Sequence, residues 1–114
     1  MESILTSIKK LLGITAEYTH FDTDLIVHIN SVLMVLNQLG IGPEECFFIE
    51  DESSSWVDFL GDNTNTELVK TYVYLKVKLL FDPPLSSAAI DSTNRLISEF
   101  EWRLNVAVDP KKSE

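Results

Sequence analysis

Cysteine, glycine, histidine and basic residues are all scarce in this chain of 114 residues, and each shortage removes a class of chemistry. The single cysteine, Cys46, has no internal partner, so a disulfide scaffold is excluded. Together with His20 and His28 it falls short of the four Cys or His ligands of a structural zinc site, and no metal is expected. Four glycines, at 13, 40, 42 and 61, are too scattered for a phosphate-cradling loop, so no nucleotide cofactor is expected. Lys and Arg number 9 against 18 Asp and Glu, a net charge of −9, which opposes a surface that grips nucleic acid by neutralising phosphates. The longest uninterrupted apolar run, residues 32–36, is far below the roughly 20 residues that span a bilayer. The opening MESILTSIKK lacks the basic start, long apolar stretch and cleavage site of a secretory signal. These features predict a soluble protein, not membrane-associated, used in a reducing interior.

What is present is the material of one small domain. Hydrophobic residues make up 45% and charged residues 24%, enough for a core and too apolar for disorder. Glycines 13, 40 and 61 each follow an apolar-periodic stretch, as left-handed helix caps do, and Pro83-Pro84 breaks any helix that reaches it. The spacing predicts helices over about 2–12, 22–39, a short one from Ser55 to Gly61, 68–81 and 87–106. Ser55-Trp56-Val57-Asp58 and Thr64-Asn65-Thr66-Glu67 both have capping-box spacing. The 68–81 segment is apolar on nearly every side and is expected at the centre of the core. Residues 41–52 read as a loop anchored by aromatics. The predicted fold is all-α, a small helical bundle of four main helices plus one short helix. Residues 1–108 form its single domain, and 109–114 a short flexible C-terminal tail.

Enzyme chemistry has little to work with. A Cys46 dyad with His28 or His20 is open on paper, but a cysteine beside Phe47 and Phe48 reads more simply as core. The oxygen-rich Asp62-Asn63-Thr64-Asn65-Thr66-Glu67 lacks the glycine and bidentate glutamate of a calcium loop and reads as turn and cap. Glu99 and Glu101, two apart on a helix, point in different directions and read as solvated surface rather than a carboxylate dyad. No catalytic residue is expected.

Charge is distributed unevenly. Residues 1–60 carry ten acids against Lys9 and Lys10, net −8, and the remainder is nearly balanced at net −1. The acidic stretch 44–58 also holds Phe47, Phe48, Trp56 and Phe59. It reads either as a solvated loop tucking its rings inward or as a docking loop in which Glu45, Phe47, Phe48, Glu50 and Trp56 meet a partner. Tyr72, Leu79, Phe100 and Trp102, on the last two long helices, are the candidate subunit interface, since large aromatic residues concentrate at such surfaces.

Three blocks carry a resemblance: the opener with Lys9-Lys10-Leu11-Leu12-Gly13-Ile14, the lysine-rich 69–80 helix running into Phe81-Asp82-Pro83-Pro84, and the closing Glu99-Phe100-Glu101-Trp102-Arg103-Leu104-Asn105. Together they resemble the head–tail connector (adaptor) proteins of tailed bacteriophages and prophages, also described as DNA-packaging connectors. The resemblance implies a non-enzymatic assembly protein without cofactors. It would form a homo-oligomeric ring, dodecameric on the virion, contacting the phage portal and tail-completion proteins. DNA would pass through without specific binding, and the protein would sit in the bacterial host cytoplasm during assembly and then at the virion head–tail interface. A ring needs two different apolar patches per chain, and an acidic lumen would not hold phosphates. Against this stands a small acidic regulatory or inhibitory protein that binds a basic host or phage partner.

Overall fold

The computed structural model describes residues 2–45, 47–61 and 66–112, with side chains through Val106. Ser3 opens the first helix, its Oγ accepting the Thr6 amide at 3.2 Å, and α1 (Ile4–Leu11) buries Ile4, Leu5 and Ile8 at the three- and four-residue steps of its apolar stripe. Past Leu12, Gly13 takes a positive φ and turns the chain away.

α2 (Asp22–Gln38) has no side-chain cap; Phe21 precedes it, and Asp22 and Asp24 place negative charge in its first turn, which the helix dipole favours. It buries Leu25, Ile29, Val32, Leu33 and Leu36. α3 (Trp56–Leu60) begins at the expected capping box: the Asp58 amide donates to Ser55 Oγ at 3.2 Å and the Ser55 amide donates to Asp58 Oδ2 at 2.9 Å. α4 (Thr66–Phe81) starts two residues before the expected 68, and Thr64 and Asn65 of its anticipated cap lie outside the described residues, as do Asp62 and Asn63. α5 (Ser87–Lys112) is opened by Ser86, whose Oγ accepts the Ala89 amide at 3.1 Å. Its helical backbone continues beyond the expected end near 106, to Lys112.

Among the described residues, helices are the only regular elements, and the fold is all-α as expected. α4 lies at the centre, packed against α1, α2 and α5. Its Val69, Tyr72, Val73 and Val77 are enclosed, each such side chain contributing about 1.5–3 kcal/mol. Phe21, just before α2, meets Phe81, at the end of α4, edge-on at 5.1 Å, so the two helices run antiparallel. α5 packs chiefly on α4 through Ile97, Phe100 and Leu104. The result is a slab of 45 × 36 × 19 Å.

A short backbone splice joins the two ends of the core. The Ile4 amide donates to Ser54 O at 3.0 Å and the Trp56 amide donates to Glu2 O at 3.1 Å, an isolated antiparallel bridge between Ser3 and Ser55. It satisfies amides at the start of both α1 and α3, which helix geometry leaves without internal partners.

Candidate docking surfaces

The 41–52 loop owes its course to two asparagines on α2. Asn30 Nδ2 donates to Ile49 O at 3.0 Å while the Ile49 amide donates to Asn30 Oδ1 at 2.8 Å, so one side chain stands in for a β-strand neighbour. Seven residues on, Asn37 Nδ2 donates to Pro43 O at 2.9 Å. With its backbone held, the loop drives Ile49 into the core and turns Phe48 outward, 55% exposed, between the exposed acids Glu45 and Glu50. Asp51 accepts from both the hydroxyl and the amide of Ser53, and these bonds hold its carboxyl below the usual range.

The candidate docking residues therefore divide. Glu45, Phe48 and Glu50 face solvent, and Phe47 is half-buried with its ring 5.2 Å from that of Phe59. Trp56 lies beneath the loop rather than on its outer surface: it is 2% exposed, and its indole N–H donates to Ser7 Oγ. An indole in a core needs such a partner, and α1 supplies it.

The candidate subunit interface divides in the same way. Tyr72 is enclosed within the chain, its Oη donating to Glu101 Oε2 at 2.7 Å, and burial together with this carboxylate pushes its phenol well above the ordinary range. Glu101 is thus half-buried and engaged rather than solvated surface, while Glu99 pairs with Arg103 at 2.9 Å on the helix exterior. Leu79 and Phe100 are half-buried at the edge of the core, and Trp102 is 67% exposed. Elsewhere on α4, α5 and their connection the chain leaves Leu80, Leu85, Leu96 and Val106 exposed, with Leu85 wholly in solvent.

The sequence reading passed over three features. Lys9, near the end of α1, is 2% exposed; its Nζ lies 2.8 Å from Asp22 Oδ1 and donates to Ala16 O at 3.1 Å, locking the 14–21 turn. Asn30 and Asn37, seven apart on α2, hold the 41–52 loop by its backbone. Lys70 reaches Glu2 at 2.7 Å, and that bond holds its ammonium above the ordinary lysine range. His20 packs edge-on against Phe21 at 4.8 Å, His28 is half-buried, and Cys46 lies outside the described residues. No group of three His, Cys, Asp or Glu is placed to hold a metal ion among the described residues.

The surface thus offers exposed apolar side chains on a helical slab, and comparison with protein families matches residues 4–111 to the phage connector proteins. The chain belongs to the phage connector family. This connector accordingly has a structural role in phage assembly, in a family that is non-catalytic, in association with other head and tail proteins at the virion head–tail interface. The match spans α1 through nearly all of α5, so every patch described above lies inside the family's domain. No curated protein and no solved structure matches the connector. No described helix of the connector is long and apolar enough to cross a membrane.

Proposed function

We propose that this connector forms a ring between the portal vertex and the tail, helping to retain packaged DNA in the head and to pass it outward on release. The observation that carries this reading is the apolar surface left uncovered along α4, α5 and their connection, where Leu80, Leu85, Leu96 and Trp102 are exposed and Leu79 and Phe100 only half-buried. Exposed side chains of this size, gathered on one small domain, mark surfaces that a neighbour covers. The net charge of −9 supports a channel role of the non-gripping kind, since phosphates passing an acidic wall are repelled rather than held.

Analytical ultracentrifugation and native mass spectrometry of the purified chain, alone and with portal, test this. The expected result is a closed oligomer of defined subunit number, populated at high concentration or on the portal. A chain that stays monomeric under every one of these conditions overturns the reading.

The acidic run Glu44, Glu45, Glu50, Asp51, Glu52 and Asp58, with no lysine or arginine between them, favours a second reading: a module that binds a basic host or phage partner. Its mark is salt-sensitive capture of one basic protein by the monomer, which a low-salt pull-down reads directly.

A further inference from the structure

Resting on the ring reading, we infer that the acidic 44–50 loop of one subunit docks on the outward face of α5 of the next, with Phe48 set beside Trp102 and Glu45 and Glu50 meeting Arg95 and Arg103. The occupant of each surface is therefore a second copy of this chain.

The first argument is placement. The loop is bound to α2 through Asn30 and Asn37, α2 packs on α4, and α5 packs chiefly on α4 rather than on α2. The two surfaces are therefore separate patches, carried by elements that meet through α4. A head-to-tail ring requires two such different patches on every subunit.

Charge supplies the second argument. The loop edge carries Glu44, Glu45 and Glu50 with no cation beside them. In a chain of net −9 most surfaces would repel it. The chain has only two arginines, Arg95 and Arg103, and both are exposed on α5. Arg103 is shared with Glu99, while Arg95 makes no ion pair with any described residue. Guanidinium groups suit this task because their fork binds carboxylates in two-point fashion.

Shape supplies the third. Arg95 and Trp102 are seven residues apart, about 10 Å along one stripe of the helix. Beside Arg95 lies an open hollow of about 400 Å³ lined by Asp91, Asn94, Arg95 and Ser98. An exposed phenyl ring flanked by two carboxylates on one edge thus faces an exposed indole, a hollow and two guanidinium groups on the other. Aromatic and arginine anchors of this kind dominate the energy of protein interfaces.

The test uses full-length chains with one edge disabled. A loop-edge variant carries Phe48→Ala, Glu45→Lys and Glu50→Lys; an α5-edge variant carries Trp102→Ala and Arg95→Glu. All five side chains are exposed, so both variants keep the wild-type circular dichroism spectrum. Each variant alone is expected to associate about thirtyfold or more weakly than wild type. Mixed, they stop at a dimer, because each retains one working edge. If the mixture stays monomeric while wild type assembles, or either variant assembles as wild type does, the edge pairing is overturned and the ring reading survives. If wild type itself never assembles, the ring reading falls and the pairing with it.

Discussion

Trp56 Nε1 lies 2.8 Å from Ser7 Oγ, a buried hydrogen bond between residues 49 positions apart. Ser7 in turn donates to Ile4 O at 3.1 Å, so the indole, the hydroxyl and the α1 backbone form one chain of donors and acceptors. The contact fastens the short α3 to α1 beside the backbone splice at Ser3 and Ser55.

Ser7→Ala should therefore destabilise by about 1–3 kcal/mol, since it leaves the buried indole N–H without an acceptor. Trp56→Phe removes the same bond from the other side and leaves a small void. Chemical denaturation of the two single variants and the double variant should give a double-variant loss smaller than the sum. Strict additivity would mean that the bond contributes nothing.

Asn30→Ala should release the loop. The Ile49 amide and carbonyl lose their only described side-chain partners, and a loss of about 1–3 kcal/mol is expected. Hydrogen exchange at the Ile49 amide should quicken far more than at amides within α4. Asn30→Asp keeps the acceptor for the Ile49 amide and loses the donor to its carbonyl, so it should fall between the two.

Gly42 has φ +87°, and a Cβ built there sits 2.5 Å from Phe59 Cε1, a buried ring. Gly42→Ala should cost more than about 1 kcal/mol, combining left-handed backbone strain with displacement of that ring. Gly13 also has a positive φ, but a Cβ there meets nothing within 4 Å, so Gly13→Ala should show the conformational part alone. Equal losses at the two sites, measured by thermal melting, would contradict the steric account.

Stability should fall at alkaline pH, and Tyr72 should be part of the reason. Its folded-state pKa lies above the unfolded value of about 10, because burial and the bond to Glu101 both disfavour the phenolate. Between those two values the folded chain holds a proton that the unfolded chain has released. Stability is therefore fully present below pH ~10 and declines as pH rises toward the folded pKa. Tyr72→Phe should lose about 1–2 kcal/mol near neutrality from the missing bond and show a shallower decline above pH ~10. Urea denaturation across that range reads both effects.

The helices were legible because their boundaries are written locally. Ser55 with Asp58, Ser86 ahead of α5, and Gly13 and Gly61 behind their helices each act within four residues of themselves. The apolar stripes of α1 and α2 follow from spacing alone. Which aromatic faces inward is not a local property. Trp56 and Trp102 are the same residue type on helices, yet one finds Ser7 on a distant helix and the other finds solvent. Tyr72 reads as an interface residue until Glu101, twenty-nine positions on, is seen to take its proton donor. Lys9 is enclosed by the turn at Ala16, seven residues on, which the charge pattern alone does not show. Of the aromatics on the candidate surfaces, Phe48 and Trp102 face solvent, and nothing in their local sequence separates them from the buried Trp56 and Tyr72. The Asn30 clamp was missed because an amide on a helix announces no partner.

At 19 Å, the least dimension of the slab is close to two helix diameters. The lone subunit therefore has little depth in which to hide its oily groups, and leaves Leu80, Leu85, Leu96 and Trp102 in water. In the proposed ring, shoulder-to-shoulder packing would supply lateral cover that an isolated plate lacks. Its melting midpoint should accordingly climb with protein concentration, linking resistance to heat with membership of the assembled particle.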